Sequence, residues 1–384
     1  MIKVITSERI PIKMWLSEIE NSALEQAKNL ANLPFSFKHI AIMPDSHVGF
    51  GMPIGGVMAT EEVIVPNAVG VDIGCGMIAI KTSLTDIGEI ELKEIMQGIR
   101  DLVPVGFSHQ REDQEWDGFN EAPDIEIIQK ELNNSKRQLG TLGGGNHFIE
   151  IQKGNDGFVW IMIHSGSRNF GLKTANEYHQ KARKLVQKWG SSIPTDELSF
   201  LPMDTNEGKQ YFEAMKYCVK FALANRALMM SNVKRVINKV LGTEKIEYTN
   251  EVNIEHNYAS LENHFGKNVL VHRKGATKAD IGLVGIIPGS MGTFSYIVEG
   301  LGNPDSFRSC SHGAGRRMGR KQAIRELNLE EEQKKMGNII GKPRSQDDLD
   351  EAPGAYKPIG EVMENQKDLT KILVELKPLA VIKG

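Results

Sequence analysis

Cysteine is scarce in this 384-residue chain, and the three present, Cys75, Cys218 and Cys310, are too few and too odd in number for a disulfide framework. That usage favours a reducing compartment. Long apolar runs are also missing: no stretch approaches the roughly 18 consecutive apolar residues of a membrane span. The opening residues, MIKVITSERIPIKMW, carry no apolar core of a signal peptide. A soluble cytoplasmic protein that does not engage a membrane is therefore expected. Neither sign of charge dominates, since 46 Lys and Arg stand against 49 Asp and Glu for a net charge of −3. No global basic field is available to draw in nucleic acid, so any polyanion site must be local. There is no G-x-x-x-x-G-K-[ST] run, which excludes a P-loop, and no internal repeat or low-complexity tract.

What the chain has in quantity is glycine, 38 residues gathered into clusters at 43–56, 69–77, 139–148, 164–171, 287–292 and 311–319. Each cluster carries a polar residue able to do chemistry. Glycine permits tight turns and close approach of backbone to a ligand, so these clusters read as site loops rather than linkers. Short strand-like runs adjoin several of them, notably MIAIKT and FVWIMIHSG. Between them, apolar residues from Glu207 to Leu241 recur every three or four positions and Gly242 follows as a C-cap, predicting one long amphipathic helix that has room for a break. Residues 108–131 are polar and acidic and read as a surface excursion with a helical end. Because site-like loops run from Asp45 to Lys383, one interleaved domain over 1–384 is expected, of mixed α/β class without regular βαβ alternation.

Asp72 and Cys75 lie in D-I-G-C-G, where the intervening glycine lets one turn direct a carboxylate and a thiolate at one ion. His147 in GGGNHF, His164 in HSGSR and His256 in EVNIEHNYA supply imidazoles to the same candidate site. Ligand type alone points to zinc. The histidines outside such turns, His39, His109, His179 and His264, are expected to be structural or surface residues, and Cys218, inside the helical stripe, to be core. His312 stands on a glycine-hinged turn before Arg316, Arg317 and Arg320. It can be a ligand, a general base or a covalent nucleophile, and the adjoining guanidinium groups suit a phosphate. Arg316, Arg320 and Lys321 would share a face if a helix starts there. Arg168 and the Arg273–Lys274 pair are further phosphate-contact candidates. Arg226 lies near the apolar stripe of the long helix, where pairing with an acid would relieve its burial.

Taken in order, MPDSHVGFGMPIGGVMAT, GVDIGCGM, LGGGNHFIEI, HSGSRN, EHNYA, HRKGAT, IPGSMGT, HGAGR and a terminal Lys-Gly resemble the RtcB family of RNA ligases over nearly the whole chain. The resemblance implies an RtcB-like catalytic domain of packed β-sheets surrounded by helices. It implies an enzyme that joins RNA 2′,3′-cyclic phosphate or 3′-phosphate ends to 5′-hydroxyl ends, in RNA repair or tRNA splicing, using GTP and two manganese ions. Manganese thereby replaces the zinc suggested by ligand type.

Carried over by motif, His312 becomes the guanylylated nucleophile. Cys75 bridges the two ions, Asp72 and His147 hold one, and His164 and His256 hold the other. Asn146, Glu150, Ser290 and Ser295 contact the guanylate, while Gly313, Ala314, Gly315 and Arg316 wrap its phosphate. Tyr356 flanks guanine, Lys383 closes the pocket, Asp45 is an acidic neighbour, and Arg168 meets an RNA phosphate. An accessory activating protein is compatible with the resemblance. The chain departs from the family in its compact length, which matches a bacterial subgroup, and in Ser309-Cys310-Ser311 where relatives often carry Thr-Cys; Cys310 is read as a small packed residue. Two rival readings use the same residues: a metal phosphodiesterase acting on RNA ends without ligation, and a non-catalytic RNA-end binding protein.

Overall fold

The computed structural model describes residues 1–242 and 245–384. Its class is mixed α/β, as the sequence pattern implies. One sheet of six strands runs in the spatial order Lys3–Ile5, Ile12–Met14, Ser36–Phe50, Met52–Thr60, Lys267–Lys274 and Asn257–His264. A second, of seven, runs Tyr248–Glu255, Gly76–Thr82, Val159–Ser165, Phe148–Gly154, Thr370–Lys383, Ser295–Gly300 and Val284–Ile287.

The apolar run VWIMIHS forms a strand buried at every position because both of its faces are covered. Ile161 and Ile163 enter a core with Met229, Met230 and Val233 of the long helix. Trp160 and Met162 point the other way, to Met77, Met336 and Leu376. Strand alternation thus divides one hydrophobic run between two cores. A third cluster joins the two sheets, with Ala41, Val57 and Val271 packed among Ile287, Tyr296 and Val298.

The long helix spans Asn206–Val240 without a break. Thr205 Oγ1 accepts the Gly208 N–H at 3.1 Å at its start, and Gly242, at φ +62°, follows its end. Cys218 is core, as expected. Residues 108–131 hold a 3-10 turn at Asp117–Glu121 and the start of helix Glu126–Lys136. The segment is not wholly a surface excursion, because Trp116 packs its ring against Phe119, Tyr217 and Phe221.

The long helix also organises the glycine-rich loops. Asn225 Oδ1 accepts the N–H groups of Gly140 and Thr141, and its Nδ2 donates to Thr141 O, Ser165 Oγ and Gly166 O. Arg226 Nη1 donates to Gly74 O and Ser165 O at 2.9 Å each, and its Nε to Asn253 Oδ1 at 2.8 Å. The expectation of an acid partner for Arg226 is therefore corrected: carbonyl and amide oxygens hold it, and burial depresses its pKa to about 10. Two adjacent side chains of one helix thereby tie together the loops bearing Cys75 and His147 and the end of the strand bearing His164. Gly74 makes the approach feasible, since its φ is +73° and a Cβ there would meet Val219 and Ala222 of the helix at 2.9 Å.

Candidate metal centre and adjoining cavity

His256 sits between strands Tyr248–Glu255 and Asn257–His264, the point where the chain leaves the seven-stranded sheet for the six-stranded one. Its N–H donates to Cys75 O at 2.8 Å, and its carbonyl accepts from Ala276 N at 3.2 Å. That crossing brings residues from distant segments into one buried chain of contacts. Asp72 Oδ2 lies 3.1 Å from His147 Nε2, His147 Nε2 lies 3.4 Å from Cys75 Sγ, Cys75 Sγ lies 3.3 Å from His164 Nε2, and His164 Nε2 lies 3.3 Å from His256 Nε2. The donor atoms of Cys75, His147 and His164 all fall within 4.8 Å of one another, a spacing that can hold a metal ion.

The chemistry of this donor set fits a cation. His164 Nδ1 faces Asn146 O at 3.0 Å, so that nitrogen carries the proton and Nε2 presents a lone pair toward His256 Nε2. Burial, followed by the charge of neighbouring histidines, lowers the pKa of His164 and His256 well below the usual imidazole range. Burial and the Asp72 charge push the Cys75 thiol up. Neutral imidazoles offer lone pairs to a cation, and a bound cation would draw the proton off the Cys75 thiol as well, reversing the local pKa logic.

Beside this cluster lies a cavity of about 430 Å³. Asn146, Glu150, His164, Ser290, His312, the Gly313–Arg316 run, Tyr356 and Lys383 all line it. Ser295 does not reach the wall; its hydroxyl accepts the Gly289 N–H and a Gln152 amide at 3.2 Å each, so it supports Gly289, which does, and Gln152, which bonds Glu150 of the wall. His312 is held by Asp45, whose Oδ2 lies 2.6 Å from His312 Nδ1 and 3.1 Å from the His312 amide nitrogen. The ring packs against His256 with centroids 4.8 Å apart, which joins cavity to cluster. Gly315, at φ +73°, lets the turn press on the same acid, since a Cβ there would fall 2.0 Å from Asp45 O.

Burial raises Glu150 to about 7, against the opposing charge of Lys383 and a 2.6 Å hydrogen bond from Gln152. Glu351, buried behind the cavity, pairs with Arg316 Nη1 at 2.9 Å, Arg320 Nη2 at 3.1 Å and Lys383 Nζ at 3.3 Å, and accepts the Tyr356 hydroxyl. Arg316 also lies over the Tyr356 ring at 5.2 Å.

Other candidates behave differently. Helix Arg320–Glu326 begins after Arg316, so the expected single basic face over Arg316, Arg320 and Lys321 does not form. Arg273 is fully buried and paired with Glu262, while the Lys274 ammonium donates to Phe50 O and Asn67 O. Neither can meet a phosphate, which corrects that expectation. Arg168 stays beside the metal candidates and donates to Thr141 Oγ1 and Gly106 O. Cys310 is packed and its thiol is pushed up by burial. His39 stacks on Phe307, His179 bonds Asn67, His264 faces Glu262, and His109 is exposed.

Sequence reasoning missed Glu351, Asn225 and His47. His47 lines the cavity two residues from Asp45, and burial lowers it to about 4. Its place in a glycine-rich turn was a usable signal; Glu351 carried none.

The family model described as "tRNA-splicing ligase RtcB" matches residues 26–122 and 109–384. The chain belongs to the RtcB family. Among relatives, it is 40% identical to "RNA-splicing ligase RtcB1" of Escherichia coli strain ATCC 25922, over 100% of this chain and 99% of that one. It is 39% identical to "RNA-splicing ligase RtcB" of Escherichia coli K12 over the same shares, and 32% identical to "tRNA-splicing ligase RtcB" of Pyrobaculum aerophilum over 98% and 95%. RtcB membership agrees with the mixed α/β class, and no described helix is long and apolar enough to cross a membrane.

Proposed function

We propose that this chain is an RNA ligase of RNA repair or tRNA splicing, joining 2′,3′-cyclic phosphate or 3′-phosphate ends to 5′-hydroxyl ends with GTP and manganese. In this reading residues 1–384 form one cytoplasmic catalytic unit. The observation that carries it is the Asp45–His312 contact, because a carboxylate on Nδ1 leaves Nε2 as the free, nucleophilic nitrogen of a histidine that lines the cavity.

His312 Nε2 forms a bond to the α-phosphorus of GTP as the bond to the β-phosphate breaks, and pyrophosphate departs with the electron pair. Asp45 keeps the Nδ1 proton and stabilises the positive charge on the ring. An oxygen of the RNA 3′-phosphate then displaces the histidine, which leaves as neutral imidazole. The 5′-hydroxyl attacks that activated phosphate, loses its proton and expels GMP. A cyclic end is first opened by water at the same site.

Asp72 and His147 on one side, His164 and His256 on the other, and Cys75 between them would hold two manganese ions; the order of contacts along this chain of donors supports that division. When bound, the ions neutralise phosphate charge and orient it for in-line attack. Asn146, Glu150 and Ser290 would contact the guanylate, with Ser295 acting through Gly289 and Gln152. Gly313, Ala314, Gly315 and Arg316 would wrap its phosphate, while Tyr356 and Lys383 close over the base.

The test is transfer of label from α-phosphate-labelled GTP to the protein with manganese. Acid-labile label on the wild type, absent from His312→Ala, together with joining of 3′-phosphate and 5′-hydroxyl RNAs, is the expected result. Turnover of cyclic ends without protein labelling would favour a phosphodiesterase and overturn the reading.

A further inference from the structure

Phe107 is fully exposed, yet its loop is firmly attached to the loop that carries His147. The Gly106 N–H donates to Gly143 O at 3.1 Å, Leu142 N–H donates to Pro104 O at 2.9 Å, and Arg168 Nη2 donates to Gly106 O at 2.6 Å. A fully exposed ring contributes no burial energy to the fold, and here the backbone fixes it beside a candidate metal centre. The Gly143 surface next to it is flanked by Arg168 and His147: a methyl group added there would fall 2.3 Å from Arg168 Nη1 and from His147 Nδ1.

A second cavity, of about 400 Å³, reaches Gly145 of the same glycine run. Gly145, Arg100, Lys342, Arg344 and Lys383 line it, and Lys383 also lines the first cavity. The acids in its wall are mostly engaged. Asp348 caps the backbone of Arg344 and Ser345, Asp350 pairs with Arg320, and Glu351 holds Arg316, Arg320 and Lys383. Among the described residues neither the Arg100 nor the Arg344 guanidinium has a hydrogen-bonded acid, and partial burial, followed by repulsion from Arg344, lowers Arg100. Two unpartnered guanidinium groups facing one cavity suit a phosphate.

We propose that the surface over Gly143, Gly144 and Gly145 carries a single-stranded RNA end, with Phe107 as the stacking platform for a base and Arg100 and Arg344 as contacts for backbone phosphates. Stacking on an aromatic face and local cations are how single strands are held without sequence readout. This explains how a chain with no global basic field retains RNA. The inference rests on the ligase reading, and the same phosphate chemistry could come from the GTP triphosphate, so the assay must separate the two.

Steady-state joining of a short 3′-phosphate RNA to a 5′-hydroxyl RNA is measured with Phe107→Ala, Phe107→Trp and Arg100→Ala/Arg344→Ala, alongside guanylylation without RNA. Phe107→Ala should raise the RNA KM roughly tenfold with kcat nearly unchanged, and Phe107→Trp should restore it. The double arginine variant should raise the RNA KM and flatten its salt dependence by about 0.7 log units per lost phosphate contact. The GTP KM for guanylylation should stay at the wild-type value in all three. An RNA KM within twofold of wild type, or a raised GTP KM with unaltered RNA KM, overturns the inference. Failure of the wild type to join RNA overturns the ligase reading and this inference with it.

Discussion

Asp45 Oδ2 grips His312 twice, at 2.6 Å from the ring Nδ1 and at 3.1 Å from the backbone nitrogen, across 267 residues of sequence. The carboxylate is fully buried, so it fixes the ring in one orientation and one tautomer. Asp45→Asn should keep the shape but lose the charge that stabilises a positive imidazole. Guanylylation by Asp45→Asn is expected to fall by roughly 100-fold or more. Single-turnover labelling with GTP measures this, and a rate within threefold of wild type would remove Asp45 from the chemistry.

The glycine-rich clusters pointed to Cys75, His147, His164 and His312 as candidates, because a chemically capable side chain beside glycines can be brought close to a ligand; His164 itself ends the strand Val159–Ser165. Their meeting was not legible, since it depends on the chain switching sheets at His256 and on Asn225 and Arg226 gripping two loops and a strand end at once. Arg273 and Lys274 misled for a related reason. They precede a glycine, as phosphate-binding residues often do, but they end a strand whose two faces are buried. Glu351 was invisible: it is one of several acids in SQDDLDEAPGAY, and its partners Arg316, Arg320 and Lys383 converge only through folding. The continuous apolar run at 159–163, by contrast, predicted its strand directly, because burial on both faces leaves no other pattern.

Cys75 touches both His147 and His164, whereas His147 does not share the His256 contact. Under the proposed two-ion arrangement, Cys75→Ala should therefore weaken both metal sites, and His147→Ala chiefly one. Metal analysis after desalting is expected to return about two ions for wild type, about one for His147→Ala, and fewer for Cys75→Ala. Equal loss in both variants would contradict a bridging sulfur.

Glu351 organises three cations and a tyrosine around the cavity proposed for the nucleotide. Burial pushes its pKa up, but Lys383, Arg320, the Tyr356 hydrogen bond and Arg316 outweigh it, leaving the carboxyl below its ordinary value. Glu351→Ala leaves these groups without their common partner. The GTP KM should rise at least tenfold while manganese stoichiometry stays unchanged. Truncating a buried charged partner also costs roughly 3–5 kcal/mol, so urea unfolding should show a lower midpoint.

Glu262 supplies a stability test away from the chemistry. Burial raises its pKa, but the Arg273 charge and hydrogen bonds from His264, Arg273 and Ser260 hold it far below the usual carboxylate range. A depressed folded value contributes stability that is complete above the unfolded pKa of about 4.3 and is lost as pH falls below it. Glu262→Gln should lower stability at neutral pH and flatten the acid limb of the pH–stability curve. Parallel curves for variant and wild type below pH 4 would dissociate the pair from acid unfolding.

Glu150 has the opposite displacement. Burial raises its pKa to about 7 despite Lys383 and Gln152, so the folded chain binds more protons than the unfolded chain between about 4.3 and 7. Its contribution to stability is present at low pH and is lost as pH rises through that window. Recognition of the base should run the other way, because only the ionised carboxylate can accept two N–H groups from guanine without surrendering a lone pair to its own proton. Guanosine, which lacks the phosphates that titrate in the same range, isolates the effect. Its affinity for the wild type should increase as pH rises from 6 to 8, and Glu150→Gln should bind more weakly with no such rise. A wild-type profile that is flat across this range would mean that Glu150 is neutral when it meets the base, and that the carboxylic acid donates where ionised Glu150 is expected to accept.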